Sequence, residues 1–191
     1  MRVIETNPVS PGVSLDSFKG AIHIALEDLD DDAALKASLS AAEAVVATAT
    51  GRPLVSQNVE FVVTRGSWRR WWFPVLPVLE LLSLAVDDGV GGWLDQPLSG
   101  AWVQQAFDEP QLVLNSDWAG HGLSGDLLRV QARVGGDAAN HLPQLRQAII
   151  LLAKEWFEAG VAIDGQDVPK MSFGVHRLIK QVRYRRPLEQ L

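Results

Sequence analysis

The spacing of apolar residues predicts two long amphipathic helices, over residues 31–50 and 143–159. In both segments apolar positions recur every three or four residues, which places them on one helical face. The stripes are Leu35, Leu39, Ala42, Val46 and Ala49, then Leu145, Ile149, Leu152, Trp156 and Ala159. Gly51 ends the first helix, Pro143 begins the second and Gly160 stops it.

Two shorter helices are predicted near the chain ends. Ser14 is a suitable N-cap for a short helix whose apolar face is Leu15, Phe18 and Ile22. The last helix spans residues 174–186, with arginines near its C-terminus and Pro187 after it. Its apolar face consists of Val175, Leu178, Ile179 and Val182.

Between the long helices, short apolar runs alternate with turn residues. The predicted strands are 57–66, 78–86, 102–106, 111–114 and 127–134. Residues 87–92 (Asp-Asp-Gly-Val-Gly-Gly) tolerate the backbone of a tight reversal, so a hairpin or meander is expected there.

These elements predict an α+β fold that is mainly α, with one domain over residues 1–191. Residues 14–50 and 143–186 form a small helical bundle, and an antiparallel β module is inserted over residues 55–135. A basic helix closes the chain.

Composition narrows the classes of function. The chain has no cysteine, which excludes disulfides, thiol nucleophiles and cysteine-ligated zinc. The N-terminus lacks a signal-peptide core, and prolines interrupt the richest apolar run, over residues 71–86, so neither secretion nor a membrane span is expected.

The net charge of −6 is unevenly distributed. Six basic residues and no acidic residue lie between Val168 and Leu188, so the remainder carries −12. Because phosphate contacts need cationic side chains, an acidic body argues against tight binding to nucleic acid.

The catalytic and metal-binding patterns are weak. Residues 120–125 match G-x-G-x-x-G but precede a predicted strand, whereas a dinucleotide site needs a helix there. Asp28, Asp30 and Asp32 resemble the start of a calcium loop, but Ala33 stands where that loop needs glycine. We therefore predict no cofactor, no metal and no enzyme activity.

Two clusters are candidate interaction sites. Trp68, Arg69, Arg70, Trp71 and Trp72 combine residue types that are enriched at protein interfaces and that also stack on bases. If this segment is a regular strand, successive residues face opposite sides, so Trp71 and Trp72 cannot both point into a core. The cationic C-terminal helix is a solvated face, a DNA contact or a protein dock.

Several short motifs, in this order and spacing, resemble the head-tail connector (adaptor) proteins of tailed bacteriophages and phage-like gene transfer agents. The motifs are residues 13–16 (Val-Ser-Leu-Asp), 30–35 (Asp-Asp-Asp-Ala-Ala-Leu), 50–55 (Thr-Gly-Arg-Pro-Leu-Val), 76–79 (Leu-Pro-Val-Leu), Asp88-Gly89, Leu142-Pro143, Ala148-Ile149, 156–158 (Trp-Phe-Glu), Leu178-Ile179 and Arg183.

The resemblance implies a ring of about twelve subunits in the neck of a virion or phage-like particle, assembled in the bacterial cytoplasm. The ring would join the portal protein to a stopper or tail-side neck protein and let double-stranded DNA pass without specific binding. Twelve copies would carry about −72, which disfavours adhesion of DNA. A stopper or tail-terminator ring, a nucleic-acid-binding module and a small enzyme remain alternatives.

The resemblance also maps a portal-docking segment onto residues 175–191. From it we expect portal contacts by Leu178, Arg183, Tyr184, Arg185 and Arg186. Trp68, Arg69, Arg70, Trp71 and Trp72 are expected to contact a neighbouring subunit or the tail side. The tryptophan-rich middle departs from the family pattern, so the partner of the β module stays open.

Overall fold

The computed structural model describes residues 1–4, 11–106, 109–122, 125–136, 142–160 and 172–187. It divides into two compact units. The β unit comprises Met1–Val9, Ser56–Gly135 and Arg185–Leu191, and the helical unit comprises Ser10–Val55 and Gly136–Tyr184. The predicted α+β class is confirmed, but "mainly α" overstates the helix content, because the described residues are 35% helical and 30% strand.

The helical unit contains α1 (Leu15–Ala21), α2 (Asp32–Thr50), α3 (Pro143–Ala159) and α4 (Phe173–Val182). Apolar residues from all four helices form one buried core. That core contains most residues of the two stripes predicted from the sequence. Ala49 and Trp156 are half-buried and pack against it, and Ala159 is exposed.

The helix ends follow the predicted signals. The Ser14 hydroxyl accepts a hydrogen bond from the Ser17 amide at 3.2 Å, and Gly51 ends α2 in the left-handed region with φ 66°. Pro143 is the first residue of α3, and Gly160 follows its last residue. Local side-chain chemistry therefore determines these boundaries.

The last helix is shorter than predicted. It ends at Val182, and Arg183 has an extended backbone with ψ 122°. The Tyr184 amide donates to the carbonyl of Thr50 at 2.7 Å, a bond to the end of α2 that a continuing helix would not allow. The expectation of helix through residue 186 is therefore wrong. Residues 183–187, which we call the exit segment, begin with the extended Arg183 and have no regular secondary structure.

The β unit consists of two antiparallel sheets. Its strands are β1 (Arg2–Val3), β2 (Gln57–Thr64), β3 (Arg70–Trp72), β4 (Val78–Asp87), β5 (Trp93–Gln96), β6 (Ala101–Ala106), β7 (Glu109–Leu114) and β8 (Leu127–Val134). The five-stranded sheet has the order β1-β2-β8-β4-β5, and the three-stranded sheet has the order β3-β7-β6.

Alternate residues of both sheets form a shared apolar core in this unit. It includes Val59 and Phe61 from β2, Leu112 from β7, and Leu128 and Val130 from β8. A sheet buries one face in this way because successive side chains point to opposite sides. The five predicted strands are present, and the predicted reversal after residue 86 joins β4 to β5.

Candidate interaction surfaces

The tryptophan–arginine cluster is divided between the two sides of β3. Trp71 points into the core and is 6% exposed, with its ring 4.9 Å from that of Phe73 and 5.6 Å from that of Phe61. Trp72 is half-buried on the opposite side. The sequence prediction that the two rings cannot both point inward is therefore confirmed.

Cross-strand register defines the outer face of the three-stranded sheet. Arg70 pairs with Val113, which pairs with Trp102, and Trp72 pairs with Gln111, which pairs with Gln104. Trp71 and Leu112 lie on the inner face, so these alternate residues lie on the outer one. We call the set Arg70, Trp72, Trp102, Gln104, Gln111 and Val113, with the adjacent Arg69, the Trp72 face.

Polar contacts order the centre of this face. Arg70 Nη1 donates to Gln104 Oε1 at 2.9 Å and to Gln111 Oε1 at 3.2 Å. Trp102 is 47% exposed. The Trp72 Nε1 donor is buried and has no acceptor among the described residues, although a buried indole usually has one.

Trp68 and Arg69 lie on the segment that enters β3. Trp68 packs against the core of the β unit, and its Nε1 donates to the Thr64 carbonyl at 3.0 Å. The Arg69 side chain is exposed, while its carbonyl accepts from the Leu114 amide at 2.9 Å. Trp68 thus stabilises the segment that precedes β3, and Arg69 adds an exposed cation next to Arg70 at the start of that strand.

The predicted portal-docking residues occupy different environments. Leu178 is half-buried and packs against the helical core, whereas Arg183 and Arg185 are exposed. Tyr184 is half-buried beside the end of α2, where Arg52 Nε also donates to the Val182 carbonyl at 2.8 Å. The exit segment is therefore anchored at its base and presents cationic side chains beyond it.

Arg186 connects the two predicted sets. Its guanidinium lies 5.3 Å from the ring centroid of Trp71, within the range of a cation–π interaction. The structure thus brings one C-terminal arginine onto the edge of the tryptophan cluster. Sequence spacing gave no signal of this contact, because more than a hundred residues separate the two side chains.

The outer face of the five-stranded sheet carries alternating charges. Glu60 lies 4.0 Å from both Arg2 and Arg129, and Arg129 lies 3.3 Å from Asp95. The Arg129 guanidinium is also 4.9 Å from the Trp93 ring. Because its charges are mutually paired, this face has little unpaired charge to offer a partner.

The acidic loop before α2 is organised by a buried lysine. Lys19 is 1% exposed, and its Nζ lies 2.5 Å from Asp32 Oδ1. The same ammonium donates to the carbonyl of Leu26 at 3.4 Å and to the carbonyl of Asp28. This arrangement of Lys19, which the sequence did not reveal, fixes the path of residues 26–32.

The structure also bears on the metal-ligand and dinucleotide-type patterns of the sequence. Among the described residues, no group of three or more His, Asp or Glu side chains is placed to hold a metal ion. The predicted strand after the G-x-G-x-x-G run is present as β8, and Ala119–Gly122 form a short 3-10 helix. No described helix has the length and apolarity needed to span a membrane.

Comparison with known proteins identifies the fold. Among the solved structures that match, three do so over 98% of this chain and 98% of their own matched chains. They are the neck of an empty GTA particle computed with C6 symmetry (24% identity, TM-score 0.76), the virion of a native gene transfer agent (GTA) particle (24%, 0.75), and the neck of a native GTA particle computed with C12 symmetry (25%, 0.73).

The sequence comparisons give no match. No family model matches the chain, and no curated protein matches it significantly. The likeness to chains found in gene transfer agent particles therefore rests on the fold, and it extends over both units.

Proposed function

We propose that this chain is a structural neck protein of a tailed phage-like particle and, within the neck, a head-tail connector or adaptor. Copies would form a ring beneath the portal vertex that joins the portal to the stopper or tail and lets double-stranded DNA pass. The observation that carries the proposal is the end-to-end likeness in fold to chains of two GTA neck structures.

The C-terminal segment supports the finer assignment. Arg183 has an extended backbone and residues 183–187 have no regular secondary structure, and Arg183 and Arg185 are exposed with no described carboxylate in ion-pair contact. A cationic extended segment on an ordered base suits insertion into an acidic groove of a neighbouring ring. The motif resemblance in the sequence assigns the same segment to the portal.

The remaining features agree with a structural role in the particle neck. A ring of about twelve is supported by the C12 symmetry with which one similar neck was computed. The acidic net charge suits a channel through which DNA slides. The role requires no catalysis, no cofactor and no membrane, and assembly would take place in the bacterial cytoplasm.

Co-migration with the portal protein encoded near this chain tests the adaptor role. The test variant is Arg183→Glu with Arg185→Glu, and the control is Lys36→Glu with Arg146→Glu, which makes the same charge change at exposed helical positions. Substitution is better than truncation at Gly174, because truncation would remove Val175, Ile179 and Val182 from the helical core.

The outcomes separate the candidate roles. Portal binding by the wild type and the control, but not by the C-terminal variant, supports the adaptor and its dock. Equal binding by all three proteins would move the portal contact to another surface. Failure of all three at low and moderate salt would contradict the adaptor role and favour a stopper or tail-terminator ring.

A further inference from the structure

Exposed side chains at the edge of the Trp72 face are of the kinds that form interfaces. Trp102 is 47% exposed, whereas Gln111, Val113 and the Trp72 Nε1 atom at the centre of the face are buried. Arg69 and Arg70 are exposed, and no described carboxylate pairs with either guanidinium. Tryptophan and arginine are the side chains most enriched at binding hot spots, and this pair of charges favours an acidic partner.

The acidic loop over residues 26–31 has the complementary composition. Its Glu27, Asp28, Asp30 and Asp31 side chains are exposed and lack a described cationic partner. Two leucines stand among them, with Leu26 54% and Leu29 67% exposed. The loop therefore offers carboxylates for the arginines and apolar side chains for the tryptophan rings.

The loop is also held in place before it meets any partner. Lys19 contacts the carbonyls of Leu26 and Asp28 and the carboxylate of Asp32, which together fix both ends of the loop. A binding element that is already ordered loses less conformational entropy on association. The other charged surface, on the five-stranded sheet, is internally paired and is the weaker candidate.

A closed ring of identical subunits requires two different, complementary patches on every chain, because its interfaces are heterologous. Similar chains occur in necks computed with C6 and C12 symmetry. We propose that the Trp72 face of one copy binds the acidic loop, residues 26–31, of the next copy. This inference rests on the proposed function and supplies its subunit contact.

Cysteine cross-linking tests this contact directly, because the chain has no cysteine of its own. One protein carries Ala25→Cys beside the loop, and a second carries Ser67→Cys beside the Trp72 face; both positions are exposed. Mixing them with a short bis-maleimide should give a heterodimer whose yield rises with protein concentration and falls with salt. All proposed interface residues stay native in this experiment.

The matched control replaces Ala25→Cys by Ala44→Cys, an exposed position on α2 away from the loop. We expect Ala25→Cys with Ser67→Cys to exceed both the control pair and the two homotypic products. A heterotypic yield no higher than that of the control pair would overturn the proposal.

Charge reversal then identifies the groups involved. Arg69→Glu in the Ser67→Cys protein should lower the yield about threefold to fivefold, the range expected for an exposed ion pair. Asp30→Lys in the Ala25→Cys protein should restore it. Loss without restoration would contradict the ion pairing, since a general loss of fold does not recover through a change on the other protein.

Portal binding by the same proteins separates this inference from the proposed function. Portal binding without preferential cross-linking would overturn the subunit contact alone. Preferential cross-linking without portal binding would contradict the adaptor role and leave a self-assembling ring.

Discussion

Replacing Lys19 by methionine should destabilise the helical unit and release the acidic loop. The Lys19 ammonium is 2.5 Å from Asp32 Oδ1 and also donates to two loop carbonyls, while its side chain is almost fully buried. Methionine keeps the apolar stem in place and removes only the charge and the donors.

The size of the effect follows from what is left behind. Removing one partner of a buried ion pair costs about 3–5 kcal/mol, because the other charge stays uncompensated. The Asp32 side chain is 22% exposed, so water solvates part of that charge and lowers the cost. We expect Lys19→Met to reduce the free energy of unfolding by about 3 kcal/mol.

Urea denaturation followed by far-UV circular dichroism measures this loss, and a double-mutant cycle assigns it. Asp32→Asn alone should cost less than Lys19→Met, because the ammonium keeps its two carbonyl acceptors. The double variant should recover about 1.5 kcal/mol or more relative to the sum of the single changes. Hydrogen exchange should also show faster exchange of the amides in residues 24–31 in Lys19→Met.

Lys36→Met is the control, because Lys36 is exposed on α2 and should cost no more than about 0.5 kcal/mol. A cost for Lys19→Met below about 1 kcal/mol, or additivity in the cycle, would refute the reasoning. Lys19 would then stabilise the protein through its apolar stem, and the loop would be ordered by other contacts.

Two further predictions concern glycines and a turn carboxylate. Gly51→Ala should lower the free energy of unfolding by about 1 kcal/mol in urea denaturation, because Gly51 has φ 66°. Gly20→Ala in α1 should raise it by about 0.5–1 kcal/mol, because the added Cβ meets open space. Changes of the same sign at the two positions would contradict this. Amide hydrogen bonds from Val90 and Gly92 hold the pKa of the Asp88 carboxyl below its ordinary 3.8. A carboxyl with a depressed folded-state pKa stabilises the protein fully above its unfolded pKa and loses that effect as pH falls through the folded value. Asp88→Ala should therefore be destabilised relative to wild type at pH 7, and this difference should shrink as the pH falls below 3.8. A difference independent of pH would refute this role.

Helix positions and most strand positions were predictable because their signals are local. Ser14, Gly51 and Pro143 each fix a helix end through interactions with adjacent backbone. The end of α4 was not predictable, since it depends on the hydrogen bond from the Tyr184 amide to the Thr50 carbonyl, across a separation that no local pattern encodes.

The pairing of the strands could not be predicted from the sequence either. The central strand of the five-stranded sheet is β8, which pairs with β2 and β4, although both precede it by many residues. The short strands β1, β3 and β5 were not among those predicted, because two to four residues carry too little periodicity. Their positions depend on partners supplied by the folded sheets.

The Trp72 face could be predicted only in part, because its residues come from three strands. The cluster at residues 68–72 was recognisable from composition, and strand alternation correctly separated Trp71 from Trp72. Trp102 joins Trp72 on one face only through the register of β7 between β3 and β6. Lys19 gave no signal because a single lysine in a short helix is ordinarily solvated.

The charge distribution links the proposed contact to the timing of assembly. Copies that each carry −6 repel one another over distances comparable to the Debye length, which opposes association of free subunits. A heterologous contact between a cationic face and an acidic loop offsets that repulsion only in one orientation. Docking of the cationic C-terminal segments on a portal would hold neighbours in that orientation at high local concentration, so the portal would favour closed rings over the weaker pairwise association of free copies.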